Sequence, residues 1–351
     1  MILDEVERMR RLDKLGVTGM IEKFPEMCEK GMIIGEQFCR RLKMRKPRKI
    51  VFCAMGGSAI SSEIIKDMFP DREILIVKDY NLPEYVDKDW LAILASYSGD
   101  TEETLSAYEQ AVKRKLQVIG ISSGGKLERA MKARRQHHIK VPGGSPPRYA
   151  TGYTLFALLT VLTKLKFIKP EVSLKEVIKD LKETREEIRP GMPLRNNMSK
   201  RIAYKLKHTI PVIQATGPYE AIAYRAKTEF NENTKIPSFN EIYPEMNHNG
   251  ILGWQKPNHL TKRFSILLIR DEGESVKIRK RIEFTKMLLR RSCDSITELW
   301  SFYPSKMSRM LSIMYILDFA SVYLGFLYGN DPGENVVITE LKRVLKGKGE
   351  E

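Results

Sequence analysis

Short apolar runs alternate with helix-like segments along most of the chain, and this alternation limits the possible folds more than any other feature. Between the runs, apolar residues recur at helical spacing. Short buried strands joined by crossover helices form parallel sheets that carry helices on their faces. In the first half of the chain, the sequence therefore predicts strands at 49–54, 73–77, 91–95, 116–121 and 138–141.

The same alternation returns in the second half, after a highly charged segment. Further strands are predicted at 210–214, 264–269 and 296–302, with helices at 219–230, 274–291, 305–328 and 335–346. A chain of 351 residues is long enough for two domains of ordinary size. We predict an α/β protein with two doubly wound parallel-sheet domains in tandem. The expected parts are an N-terminal helical segment at 1–45, a first domain at 46–169, a charged helical bridge at 170–198, and a second domain with C-terminal helices at 199–351.

Charge and cysteine content indicate the environment of the protein. The net charge of +16 attracts anions. However, the basic residues are mixed with glutamates over helix patterns and are not interleaved with aromatic residues, so we interpret them as solvated faces and expect no nucleic-acid partner. Cys28, Cys39, Cys53 and Cys293 show neither disulfide nor zinc spacing, and the N-terminus has no apolar signal sequence. These features predict a cytoplasmic protein.

One apolar segment, 310–328, resembles a membrane span in composition. Asp318 stands at its middle, where an acidic residue costs about 2.5–3.5 kcal/mol on insertion scales. The apolar residues also recur at helical spacing. We therefore predict a buried helix of a soluble domain and no membrane association.

Small and hydroxyl residues follow the strand predicted at 91–95. Ser96, Ser98 and Thr101 can donate hydroxyl hydrogen bonds, and Gly99 lets the backbone curve close to a ligand. A loop at the carboxyl end of a strand that opens a helix also offers free N–H groups to an anion. Alternatively, Asp100 or Thr101 simply caps the helix as part of a capping box.

A second loop of this kind, Met55-Gly56-Gly57-Ser58, follows the strand predicted at 49–54. Two such loops on neighbouring strands can hold one phosphate between them. The chain has neither a GxxxxGK[ST] nor a GxGxxG sequence, which argues against nucleotide binding. We predict a phosphate monoester held without metal or cofactor. The candidate phosphate ligands are Gly57, Ser58, Ser96, Ser98 and Thr101.

Together, the loops MGGSA and SYSGDTEET resemble the sugar isomerase (SIS) domain, which binds phosphosugars. Five further motifs make the chain similar to the archaeal-type bifunctional phosphoglucose/phosphomannose isomerase family over about residues 45–346. The resemblance implies two SIS-like, flavodoxin-type domains, a homodimer, and a role in glycolysis or gluconeogenesis. It also implies metal-free interconversion of glucose 6-phosphate or mannose 6-phosphate with fructose 6-phosphate through a cis-enediolate. The motifs are PPRYA at 146–150, FNENTKIP at 230–237, NHN at 247–249, DP at 331–332 and LK at 341–342.

Such a reaction needs a base, a cation near the enediolate oxygens, and an acid/base pair that opens the sugar ring. The resemblance assigns the base to Glu232, which we expect just after the helix at 219–230. Glu229 is a rival for this role, and a solvated helix-end glutamate is the simplest alternative. Arg148 follows two prolines that stiffen its loop, so a fixed guanidinium could stabilise the enediolate.

His248 and Lys342 are the candidates for ring opening. The resemblance implies that His248 reaches the site of a partner subunit and that Lys342 lies opposite to it. Without the resemblance, a loop histidine and a lysine on a terminal helix are ordinarily solvated.

Two departures from the family pattern leave the choice between glucose and mannose epimers open. Gly250 stands where the family usually has glutamate, and Asp331-Pro332-Gly333 replaces Asp-Pro-Thr-Pro. Two other functions also stay open: a non-catalytic phosphosugar-binding module and an isomerase of a different phosphosugar. A regulator of the first kind would usually carry a helix-turn-helix, for which the first 45 residues are too short and too charged.

Overall fold

Two parallel sheets form the framework of the protein. The computed structural model describes residues 2–256 and 258–345, except for the side chains of Lys342 and Leu345. The elements up to the end of the first sheet are α1 (Val6–Leu12), α2 (Val17–Glu22), α3 (Phe24–Cys39), β1 (Lys49–Ala54), α4 (Gly56–Met68), β2 (Glu73–Val77), β3 (Trp90–Ala95), α5 (Glu102–Lys113), β4 (Gln117–Ser122), α6 (Gly125–Ala133), β5 (His137–Lys140) and α7 (Thr151–Lys164).

The second half contains the other sheet and the longest helix of the described chain. Its elements are α8 (Leu174–Ile188), α9 (Met198–Leu206), β6 (Ile210–Thr216), α10 (Glu220–Thr234), β7 (Phe239–Tyr243), α11 (Asn258–Thr261), β8 (Phe264–Ile269), α12 (Val276–Ser292), β9 (Ser295–Leu299), α13 (Lys306–Leu327) and α14 (Val336–Leu345).

The first sheet has the order β2-β1-β3-β4-β5, and all neighbouring strands are parallel. Residues of β3 are all buried, because apolar helices cover both faces of the sheet. The chain runs from β1 to one side and then returns to β3 on the other side. In doubly wound sheets, ligands bind at the carboxyl ends of the strands where the order reverses. The loops after β1 and β3 therefore lie at the expected binding position.

The second sheet repeats this order over four parallel strands, β7-β6-β8-β9. The prediction of two parallel α/β sheets is confirmed. β7 was not expected from the sequence, because it is a short edge strand bordered by Pro237 and Pro244. The strand expected at 296–302 is shorter and ends at Leu299.

The long apolar helix α13 lies in the core. By length and composition it could cross a membrane, but 89% of its most apolar window is buried inside the protein. It packs on α8, α9 and α10. The prediction of a buried helix is confirmed, and the charged segment before the second sheet forms part of its covering.

Helix α10 contacts both halves of the chain. It packs on α13 in the second half and on α4 in the first half. At its first turn, the Ala221 N–H donates a 2.7 Å hydrogen bond to Asp67 Oδ2 at the end of α4. In its middle, Arg225 forms two hydrogen bonds of 2.9 and 3.0 Å with Asp318 on α13. These contacts set where the last turn of α10 points.

Candidate active site

The loops after β1 and β3 touch each other. The Tyr97 N–H donates a 3.1 Å hydrogen bond to Ser58 Oγ, and Ala54 and Ala95 are paired at the ends of the two strands. Both following helices begin without a hydrogen bond from a capping side chain. Free N–H groups of α4 and α5 therefore face one edge of the sheet, as an anion site requires.

Ser96 is buried beneath the loop after β3, and its hydroxyl bonds other residues of that loop. It is 1% exposed, and its Oγ lies 2.7 Å from Thr101 Oγ1. The same oxygen accepts hydrogen bonds from the Gly99 N–H at 3.1 Å and from the Thr101 N–H at 3.4 Å. Ser98 is exposed, whereas Ser58 and Thr101 are half-buried. The loop after β3 thus has two hydroxyls near its surface, those of Ser98 and Thr101, and a buried one beneath them, that of Ser96.

The capping-box alternative does not describe this loop. Thr101 stands at the N-cap position of α5, but its side chain bonds Ser96 instead of the helix. Asp100 Oδ1 accepts from the Lys126 N–H at 2.9 Å, outside the helix. Gly99 has a φ of +77°, and an added Cβ would collide with the Gly124 carbonyl oxygen. Only glycine fits there, so the backbone is held against the neighbouring loop.

Arg148 contacts both Glu232 and the loop after β1, which is one of the two candidate phosphate-binding loops. A Cβ on Gly57 would lie 3.0 Å from Arg148 N, so the absence of a side chain lets the two backbones meet. Arg148 Nη1 lies 2.9 Å from Glu232 Oε2, and Nη2 donates a 3.1 Å bond to the Pro332 carbonyl. The guanidinium also stacks on the Tyr149 ring at 4.5 Å. Its orientation is therefore fixed on several sides.

Glu232 lies in the last turn of α10, which corrects the expectation that it follows the helix. Asparagine and threonine have low helix propensity, which favoured an early end. Buried contacts override this preference: Asn233 accepts from the Tyr149 hydroxyl at 2.8 Å and donates to Ser321 Oγ at 2.8 Å. The helix ends after Thr234, where Lys235 adopts a left-handed φ of +60°.

The Glu232 side chain is 34% exposed and borders a cavity of about 830 Å³. Lys235 closes one side, because its Nζ donates to the Glu232 carbonyl at 2.5 Å and to the Glu334 carbonyl at 2.7 Å. Phe239 and the first turn of α14 form further walls. A carboxylate at the edge of this space, paired with a fixed guanidinium, can accept a proton from a bound molecule.

His248 does not join this cluster within one chain. Phe239, at the start of β7, lines the cavity with Glu232, whereas His248 follows the other end of the strand. The five residues of β7 span about 13 Å. The His248 side chain is exposed. Lys342 belongs to α14, but its side chain lies outside the described residues.

At Gly250, a larger residue would meet the end of the Glu241 side chain. A Cβ at this position would lie 2.7 Å from Glu241 Oε1. Glu241 in turn accepts a 2.9 Å hydrogen bond from Gln214 Nε2. A larger residue at position 250 would therefore require the Glu241 carboxylate to shift.

A buried polar network behind Arg148 was missed by the sequence reasoning, apart from naming Glu229 as a rival base. It consists of Arg225, Glu229, Asn233 and Asp318, all buried. The spacing of Arg225 and Glu229 by four residues indicates a helix-face pair. No local pattern connects them to Asp318, which lies 93 positions beyond Arg225.

Comparisons with known proteins agree with this geometry. Residues 195–345 match the family model of the bacterial phospho-glucose isomerase C-terminal SIS domain. The chain is 34% identical to the bifunctional phosphoglucose/phosphomannose isomerase of Caldicellulosiruptor bescii over 93% of this chain and 97% of the relative. It is 35% identical to the enzyme of the same name from Aquifex aeolicus over 85% and 90% of the two chains.

The fold also matches solved structures. One is a hypothetical protein from Thermus thermophilus, with a TM-score of 0.74 and 15% identity over 97% of this chain and 93% of that one. At this identity, the likeness concerns the fold alone. The sequence similarity to the curated relatives goes further, since it exceeds 30% over most of both chains. The chain therefore belongs to the bifunctional phosphoglucose/phosphomannose isomerase family.

Proposed function

We propose that this isomerase interconverts glucose 6-phosphate, mannose 6-phosphate, or both, with fructose 6-phosphate through a metal-free cis-enediolate. The observation that carries the proposal is the position of Arg148, which touches the backbone of the loop at Gly57 and pairs with Glu232 at 2.9 Å. These contacts support a base at Glu232 and a cation at Arg148 beside the proposed phosphate site. The names of the curated relatives support the same substrates.

The phosphate would bind at the beginnings of α4 and α5. Backbone N–H groups near Gly57 and the hydroxyls of Ser58, Ser98 and Thr101 can donate to its oxygens, with Ser96 supporting Thr101 from below. The phosphate does not take part in the chemistry, so these contacts hold the substrate in the ground state and the transition state alike.

The proton transfer would use Glu232 and Arg148. The Glu232 carboxylate removes the proton from C2 of the open-chain aldose, and the C–H electron pair forms the C1–C2 double bond of the enediolate. The C1 carbonyl electron pair moves onto O1, and the proton of the C2 hydroxyl passes from O2 to O1. The same carboxyl group then returns the first proton to C1, while O2 becomes the carbonyl oxygen of the ketose. Arg148 stabilises the negative charge that develops on the oxygens. Its stacking on Tyr149 and its bond to the Pro332 carbonyl hold it ready for this role.

Ring opening would require a second subunit. Glu232 on α10 shares its cavity with Phe239 at the start of β7, whereas His248 follows the other end of that strand. We therefore infer a homodimer in which His248 enters the partner's site and acts opposite Lys342. We also infer a cytoplasmic location, since the four cysteines are free thiols.

The proposed function is tested by a coupled assay of the purified protein with fructose 6-phosphate, reading glucose and mannose 6-phosphate separately. Within the described residues, no group of three His, Cys, Asp or Glu side chains could hold a metal ion. We therefore expect activity to survive a chelator. Activity lost on chelation and restored by a divalent ion would contradict the metal-free mechanism. Binding of the sugar phosphate without turnover would favour a non-catalytic module, and turnover of another phosphosugar alone would exclude these substrates.

Replacing Ser98 with alanine tests the phosphate site. The variant should raise KM about tenfold while leaving kcat nearly unchanged, because the lost bond is the same in substrate and transition state. Steady-state kinetics with fructose 6-phosphate measure both constants. Ser106→Ala, in the middle of α5, is the matched control and should leave KM unchanged. An unchanged KM in Ser98→Ala would place the phosphate elsewhere.

A further inference from the structure

A second glutamate, Glu229, lies one helical turn before Glu232 and behind Arg148. Its side chain is 2% exposed, and its Oε2 lies 3.9 Å from Arg148 Nε. This distance is too long for a hydrogen bond. Among the residues that the structure describes, Arg148 Nε is a buried donor without a hydrogen-bond partner. An unpaired buried donor is unfavourable, and the Glu229 carboxylate lies just beyond hydrogen-bond distance of it.

Burial opposes the ionisation of Glu229, which lies in a cluster of mixed charge. Two guanidinium groups and three carboxylates meet here, so one carboxylate is in excess when all are ionised. Burial, reinforced by the neighbouring carboxylates and opposed by the arginines, raises the pKa of Glu229 to about 7. The charged and titratable groups that face it are Arg225 and Glu232 on the same helix, Asp318 on α13, and Arg148 and Tyr149 on the turn before α7.

We propose that Glu229 is a positioning residue that acts through Arg148: an ionised Glu229 draws the Arg148 Nε–H across the 3.9 Å gap, away from the sugar, and a protonated Glu229 releases it. The proposal rests on the proposed function, in which Arg148 stabilises the enediolate. The other contacts of Arg148, with Glu232 and the Pro332 carbonyl, involve Nη1 and Nη2, so a pull on Nε turns the guanidinium about them.

The consequence is a pH dependence with a definite sign. Below its pKa, Glu229 is protonated and Arg148 pairs with one carboxylate only, that of Glu232. As the pH rises through that pKa, a second carboxylate pairs with Arg148 and the enediolate loses stabilisation. The loss of one charge-assisted bond corresponds to about tenfold in rate. Turnover should therefore fall on the alkaline side, in a range where the substrate phosphate is already mostly in its dianionic form.

The experiment compares the pH profiles of kcat for the parent protein and Glu229→Gln between about pH 6.5 and pH 9. Glutamine keeps the size of the side chain and can still accept from Asn233, which donates to Glu229 Oε2 at 3.2 Å. We expect the parent to lose about tenfold in kcat over this range and Glu229→Gln to stay flat. Glu186→Gln, an exposed glutamate on α8, is the matched control and should follow the parent.

Two outcomes would overturn the inference: a parent without an alkaline fall, or a fall that persists unchanged in Glu229→Gln. A parent without any isomerase activity would refute the proposed function itself and this inference with it. If Glu229→Gln does not fold, crystal structures of the parent at low and high pH provide the decisive measurement. The Arg148 Nε to Glu229 distance should shorten to a hydrogen bond at high pH, and an unchanged gap would refute the proposal.

Discussion

Replacing Glu232 with glutamine is expected to lower kcat by about a hundred to ten thousand times, the usual contribution of one acid/base group. Glutamine retains the length of the side chain and can still accept a bond from Arg148, which lies 2.9 Å away in the parent. It cannot take the C2 proton. KM should change little, because the phosphate loops after β1 and β3 are intact. Steady-state kinetics measure both constants, and proton exchange at C2 in deuterated water reports the transfer itself.

The same variant tests whether the site is shared between subunits. Glu232→Gln should be mixed with His248→Ala under conditions that dissociate and then re-form the proposed homodimer. If His248 serves the partner's site, each mixed dimer contains one site with both native residues, and activity returns. If both residues serve the site of their own chain, mixing restores nothing. Glu186→Gln should keep normal turnover. Normal turnover in Glu232→Gln would mean that another carboxylate is the base, and Glu229 would be the first candidate.

Most elements of the fold were predictable, because they depend on local patterns. The strands Lys49–Ala54, Glu73–Val77 and Phe264–Ile269 were predicted at their observed bounds, since buried parallel strands are nearly continuous apolar runs. The edge strand β7 was not predicted, because one of its sides is unpaired and its apolar pattern is weak. The end of α10 was misplaced because tertiary contacts of Asn233 hold the final turn, and no local signal reports them. The proposed division into domains stays a prediction.

The site was predictable in its loops but not in its interior. The serines and glycines after β1 and β3 form a pattern that a reader can recognise, and parallel pairing of the two strands brings them together. The roles of Glu232, Arg148, His248 and Lys342 were implied only by resemblance and stay predictions. The network of Arg225, Glu229 and Asp318 depends on contacts between distant segments. From the sequence alone, Asp318 served only as evidence against a membrane-spanning helix.

Asp318 is expected to contribute strongly to stability through this network. Replacing it with asparagine keeps its shape but leaves the Arg225 guanidinium, 4% exposed, without its bidentate counter-charge. Removing one partner of a buried ion pair costs about 3–5 kcal/mol in the free energy of unfolding. Urea denaturation followed by tryptophan fluorescence measures this loss. Asp71→Asn, at an exposed aspartate after α4, is the matched control and should change the free energy by less than about 0.5 kcal/mol.

The loss in Asp318→Asn should also depend on pH, because Glu229 is the remaining carboxylate next to Arg225, at 3.5 Å. In the parent, the negative charge of Asp318 helps to raise the pKa of Glu229, after burial itself. Without that charge, the pKa of Glu229 falls, and an ionised Glu229 can replace Asp318 as the counter-charge. At low pH Glu229 is protonated and cannot do so. The destabilisation should therefore be larger at pH 5 than at pH 8. An equal loss of unfolding free energy at both pH values would mean that Glu229 does not compensate for Asp318. A loss below about 1 kcal/mol would mean that the Arg225–Asp318 pair does not stabilise the fold.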